Sequence, residues 1–137
     1  MVDEIRVGGR ASRTLAVGDE HIELFARLTG DRNPLHFDDE FAGATRFGRR
    51  VVQGGVTTGL LNAIVAMDLP GPGSVFMEQQ LRYLAPVHPG DTITAEATIT
   101  SIHATKPVYG LAVRVVRQDG VVVLEGTAVV YRMRPTG

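Results

Sequence analysis

Gly54-Gly55-Val56-Thr57-Thr58-Gly59-Leu60-Leu61-Asn62-Ala63-Ile64-Val65-Ala66-Met67 reads as a helix with apolar residues on nearly every face. Such a helix is expected to be surrounded by protein rather than laid on a surface. Leu69-Pro70-Gly71-Pro72-Gly73 ends it, because proline and glycine together stop helical geometry. Its most apolar part, Leu60 to Met67, contains Asn62 and is far too short to span a bilayer. Whatever surrounds this helix must come from the rest of the chain.

Downstream, everything reads as strand. Ser74 to Leu84 is one candidate, closed by Pro86 and the Pro89-Gly90-Asp91 turn. Thr92 to Ile99 alternates, with Ile93, Ala95, Ala97 and Ile99 on one face and Thr92, Thr94, Glu96 and Thr98 on the other. That period of two marks a half-buried antiparallel strand. Val108 to Arg117 and Val121 to Tyr131 flank Asp119-Gly120, a tight-hairpin signal. A late antiparallel sheet and one helix without a polar face imply a sheet curled around that helix, an α+β layer arrangement.

Upstream, Ala11 to Val17 predicts a short strand. Gly18-Asp19 then offers an N-cap for a helix of about ten residues, with Ile22, Phe25, Ala26 and Thr29 along one face and Gly30 ending it. A single helical turn is expected around Asp39 to Ala44. Between these helices runs Gly30-Asp31-Arg32-Asn33-Pro34-Leu35-His36-Phe37-Asp38. Pro34 removes a backbone donor and disfavours helical geometry at Asn33, so the segment is expected to be a fixed, non-helical turn. Such a turn can aim the Asp31 carboxylate and the His36 imidazole at one point. An acid–base pair focused on a single water is the minimum equipment for adding water to, or removing it from, an activated substrate.

The chain of 137 residues is long enough for one core and is read as a single domain, 1–137. Its hydrophobic and charged fractions, 44% and 21%, are those of an ordinary globular protein and argue against disorder. With a net charge of −1 and basic residues spread along the chain, nothing electrostatic points to nucleic acid. Cysteine is absent, which excludes disulfides, thiolate metal sites and cysteine nucleophiles. The start Met1-Val2-Asp3-Glu4 is acidic without an apolar run, so no secretory signal is expected and the reading is a cytoplasmic protein without a membrane segment. Only the tail Arg134-Pro135-Thr136-Gly137 looks loose.

With these elements in place, the chain resembles hot-dog-fold proteins and, within them, the MaoC-like (R)-specific enoyl-CoA hydratases. The resemblance runs from roughly residue 11 to residue 133 and is most specific from Leu28 to Asp38. It continues through Phe41-Ala42, Phe47-Gly48 and Gly54 to Leu81-Arg82-Tyr83-Leu84-Ala85-Pro86-Val87 and Pro89-Gly90-Asp91-Thr92. It implies reversible syn hydration of a trans-2-enoyl thioester to the (R)-3-hydroxyacyl thioester. Asp31 and His36 would hold the catalytic water, and the Gly54 amide at the helix N-terminus would meet the thioester oxyanion. Asn33, Gln53, Gly55 and Asn62 are expected to support the site. Three of these depart from the family pattern: Gln53 stands where His is usual, Gly55 where a larger apolar residue is usual, and Asn62 where Ser is common.

The resemblance further implies a homodimer with the substrate tunnel along its interface, and no metal or redox cofactor; coenzyme A or an acyl carrier would be the handle of the substrate. Arg49, Arg50, Arg82 and Lys106 are candidates to meet coenzyme A phosphates, with solvated surface charge as the alternative. An acyl-CoA thioesterase and a non-catalytic acyl-thioester-binding subunit of a hetero-oligomeric dehydratase remain rival readings, since a fold does not fix its reaction. The four histidines lack metal-ligand spacing. His21, His88 and His103 are expected at the surface, and Asp38, Asp39 and Glu40 at the start of a helical turn. Asn62, a polar amide in an apolar helix, needs a partner if buried.

Overall fold

The computed structural model describes residues 5–136. The acidic start Met1 to Glu4 and the final residue of the tail, Gly137, lie outside the described residues. Five strands form one antiparallel sheet in the order β1-β3-β4-β5-β2: β1 (Arg10–Ala16), β2 (Ser74–Tyr83), β3 (Thr92–Ile102), β4 (Val108–Arg117) and β5 (Val122–Arg132). The last three strands are successive hairpin partners, with Ala97 opposite Val113 and Val113 opposite Gly126. β1 and β2, the two edges, flank the helical part of the chain.

The alternation in β3 follows the sequence. Ile93, Ala95, Ala97 and Ile99 are all buried, while Thr92, Thr94, Glu96 and Thr98 lie half-buried on the outer face. Leu111, Val113 and Val115 of β4 and Leu124, Ala128 and Val130 of β5 complete the inner face. On that face lies α4 (Gly54–Ala63), which continues as a wider π-helical turn, Ile64–Asp68, closed by the Leu69 amide donating to Ile64 O at 2.8 Å. Alanines at the centre of β3 let Leu61, Ile64 and Val65 seat against the sheet. Arg13 clamps Asp68 with two bonds, Nε to Oδ2 at 2.7 Å and Nη2 to Oδ1 at 3.1 Å, tying β1 to the helix end. That guanidinium holds the Asp68 carboxyl below the usual carboxylate range.

The sheet covers only part of this helix. Asn62, Ala66 and Met67 are exposed, so the expectation of a fully surrounded helix is corrected: one flank of its C-terminal half is bare. Val75 and Met77 on edge strand β2 are exposed as well, leaving apolar surface on both elements. A five-stranded sheet from one chain is not wide enough to enclose every face.

α1 (Asp19–Thr29) packs across the start of α4 and ends at Gly30, whose φ of 83° is a left-handed conformation that glycine adopts without strain. The next segment differs from its expectation. Pro34–Phe37 is a one-turn helix, α2, rather than a non-helical turn. Pro34 occupies the first helical position, where its missing N–H is no loss and its fixed φ suits the helix. Asn33 caps the turn, its side chain accepting from the Leu35 amide at 3.0 Å. The rule that proline disfavours helix applies to Asn33 outside the turn and not to the residues that follow. α3 (Asp39–Gly43) comes next, capped by Asp38, whose carboxylate accepts from the Phe41 amide.

Candidate active site

The site is assembled around the extended segment 50–53 that leads into α4. On one side the Val51 amide donates to Leu35 O at 3.1 Å; on the other the Val52 amide donates to Val87 O at 2.7 Å. The segment is therefore bracketed by the α2 turn and the turn after β2. His36, buried to 8% exposure, places Nδ1 2.7 Å from Val51 O. A carbonyl only accepts, so Nδ1 carries a proton there and Nε2 is the ring nitrogen left free for another partner.

That free Nε2 lies 3.5 Å from Asp31 Oδ2. The other carboxylate oxygen, Oδ1, accepts from the Asn33 amide at 3.2 Å. The Asp31 amide itself donates to Thr29 Oγ1, which in turn donates to Phe25 O, so the carboxylate is anchored back to the end of α1. Two basic atoms thus face one small volume, each held from behind by a separate bond. They are suited to bind one water and to take or return its proton.

A cavity of about 670 Å³ opens beside them, lined by His36, Gly54, Thr57, Tyr83, Arg46 and Val123 among others. Asp31 adjoins the His36 ring and is not itself part of the cavity wall. Gly54 is the first residue of α4. Among the described residues no side chain caps this terminus, and the amides of Gly54 and Gly55 donate to no acceptor. Orphan amides at a helix start carry the positive end of its dipole. A negatively charging oxygen in the cavity would meet them at Gly54.

The supporting residues divide. Asn33 shapes the turn that presents both side chains. Gln53, 1% exposed, does not line the cavity; its Nε2 donates to Ile22 O at 3.0 Å, tethering the start of α4 to α1, while Oε1 is buried without a partner. Gly55 makes room for α1: a Cβ there would lie 2.2 Å from Phe25 Cζ. The large apolar side chain expected after Gly54 is thus replaced by one from another helix. Asn62 does not reach the site. It is exposed, and five residues after the cavity-facing Thr57 it falls on a different helix face, about 140° round.

Two further expectations are corrected. His88 is buried at 7% exposure, its Nδ1 2.7 Å from Arg50 O, because the turn after β2 folds against segment 50–53. Arg50 is not free to meet a phosphate: its guanidinium donates to Asp39 at 2.9 Å, to Asp19 at 3.1 Å and to His36 O at 3.3 Å. Arg82 lies in a separate groove on the outer face of the sheet, with Arg10, Glu96 and Arg114. Thr57 and Tyr83 also line the cavity, and no local signal in the sequence distinguishes either.

A curved antiparallel sheet holding a helix in its concave face, with an acid–base pair beside that helix's N-terminus, defines a hot-dog-fold protein. The MaoC like domain matches residues 4–121, and the chain belongs to that family. It is similar to an (R)-specific enoyl-CoA hydratase of Aeromonas caviae, 36% identical over 126 residues, 92% of this chain and 94% of the relative. A second (R)-specific enoyl-CoA hydratase, from Rhodospirillum rubrum, is 35% identical over 128 residues, 93% and 88% of the two chains. Among solved structures, an (R)-hydratase from A. caviae involved in PHA biosynthesis superposes with a TM-score of 0.89 at 36% identity, covering 93% of this chain and 97% of that one.

Proposed function

We propose that this protein is a hydro-lyase that adds water to trans-2-enoyl-CoA, giving (R)-3-hydroxyacyl-CoA, and catalyses the reverse dehydration. The observation that carries the reading is the free His36 Nε2 facing Asp31 beside the uncapped Gly54 amide, at one cavity large enough for an acyl group. The (R)-hydratase relatives, each matched over nearly its whole length, support the same reaction.

Water held between His36 and Asp31 loses its proton to this pair as its oxygen attacks C3. Charge moves onto the thioester oxygen, which the Gly54 amide stabilises, and a proton delivered to C2 from the pair completes the addition. Each acid–base contribution of this kind is worth about 10² to 10⁴ in rate. Hydrolysis of the thioester is disfavoured by the composition of α4, since Gly54 to Ala63 contains no carboxylate to act opposite the acyl carbon.

The chain acts as a homodimer in this reading, with coenzyme A or an acyl carrier protein as the substrate's handle, in the cytoplasm. The bare flank of Ala66 and Met67 and the apolar edge at Val75 and Met77 support pairing, since an exposed edge strand otherwise invites aggregation. Among the described residues no helix is long and apolar enough to cross a membrane.

Crotonyl-CoA tests the reaction. Loss of enone absorbance without release of free thiol is the expected result. Thiol release would establish a hydrolase instead, and neither change a binding subunit.

A further inference from the structure

We propose that the Thr57 hydroxyl is a second hydrogen-bond donor to the thioester oxygen, completing an oxyanion site that Gly54 begins; this rests on the hydratase reading. Thr57 is only 3% exposed, yet among the described residues its hydroxyl makes no hydrogen bond. Its neighbour Thr58 behaves as a helical threonine ordinarily does, donating back to Gly55 O at 3.3 Å. The corresponding acceptor for Thr57, three residues back, would be Gly54 O, and among the described residues that bond is not made. That hydroxyl is not among the fully enclosed unpaired atoms, so it opens into the cavity, where solvent or a ligand supplies its partner.

Its position says which ligand atom that is. Thr57 lines the same cavity as Gly54 and His36. It follows Gly54 by three residues, which puts both on one face of the helix. Side chains on a helix lean toward its N-terminus, so the Thr57 hydroxyl lies over the turn whose first amides have no acceptor. A donor there and the Gly54 N–H converge on one acceptor. Tyr83 is the rival donor: its Oη lies 3.2 Å from where a Gly54 Cβ would stand, but the residue is 60% exposed and solvent can satisfy it.

Thr57→Val removes the hydroxyl and keeps the shape. It is expected to lower kcat for crotonyl-CoA hydration about 10²- to 10³-fold, with KM little changed. Thr57→Ser should restore most of the loss, and the thermal midpoint of the valine variant should stay level or rise. A readout independent of turnover is the infrared carbonyl band of bound butyryl-CoA, which is saturated and does not react. In wild type the band should sit at lower wavenumber than in Thr57→Val. Unchanged kcat, an unmoved band, or a change confined to acyl-length preference would overturn the proposal. So would a fall in thermal midpoint that serine reverses, because the hydroxyl would then be bonded within the fold; should valine prevent folding, Thr57→Ala carries the same comparison. A wild-type protein that lowers the butyryl-CoA band through Thr57 but leaves crotonyl-CoA unhydrated would refute the hydratase reading alone.

Discussion

Two histidines grip successive carbonyls of the same segment, and of the two His36 alone lines the cavity. His36 from the α2 turn meets Val51 O and His88 from the turn after β2 meets Arg50 O, each through Nδ1 at 2.7 Å. Both are buried, and each has an aspartate in its own turn. The difference lies in what those aspartates do. Asp91 is consumed internally, accepting from the His88 amide at 2.8 Å and from Gln118 Nε2 at 2.7 Å. Asp31 keeps Oδ2 turned to the free His36 nitrogen beside a cavity. Equal hydrogen bonds to the backbone therefore go with a spent carboxylate in one turn and, in the other, the pair to which the proposed function assigns the chemistry.

The strongest way to break this contrast is to disarm the reactive turn. Asp31→Asn and His36→Ala are each expected to reduce crotonyl-CoA hydration by about two or more orders of magnitude while leaving a cooperative unfolding transition. Full activity in either variant would remove that residue from the mechanism.

His88→Ala should do the reverse. Loss of the donor to Arg50 O is expected to cost about 1–3 kcal/mol in urea unfolding, with kcat changed only a few-fold. A hundredfold loss of rate at unchanged stability would erase the distinction between the two turns.

Acid sharpens the comparison further. Burial alone would raise the Asp91 carboxyl, but the bonds from Gln118 and the His88 amide outweigh it and hold the group below its ordinary range. A carboxyl whose folded pKa is depressed contributes stability that is fully present above its unfolded value, about 4, and lost as pH falls through the folded value. Asp91→Asn should therefore flatten the loss of stability below about pH 4, measured as unfolding free energy against pH. An unaltered slope would mean that the bonds at Asp91 do not favour its charged form.

The smallest effect belongs to Asn62→Ala. An exposed residue off the cavity should change stability by no more than about 0.5 kcal/mol and leave kcat within about twofold of wild type. A larger kinetic effect would bring Asn62 back to the site.

Much of this was legible because it is written in local patterns. Strict alternation from Thr92 to Ile99 gave β3 and its buried face, Asp119-Gly120 gave the hairpin, and Gly18-Asp19 with Gly30 bounded α1 within a residue or so. Asp31, His36 and Gly54 stand as a spaced set within a longer run, and the fold brings His36 beside Asp31 and into one cavity with Gly54. The one-turn helix is not legible locally, because Pro34 reads alike as a breaker and as a first helical residue, and only the Asn33 cap decides between them. His88 reads as a surface residue because a histidine beside a Pro-Gly-Asp turn carries no sign of what folds over it.

Residue order alone was enough for the elements and the curled α+β sheet, and for placing Asp31 and His36 in one short loop, since periodicity, turn chemistry and residue type act over a few neighbours. Tertiary structure alone decided that segment 50–53 lies between Leu35 and Val87, that Arg50 is pinned, that Gln53 and Gly55 serve the α1 contact, and that the Thr57 hydroxyl goes unpaired. Those facts depend on which distant groups arrive to satisfy each donor and acceptor, and a side chain's own neighbours in the chain do not settle that.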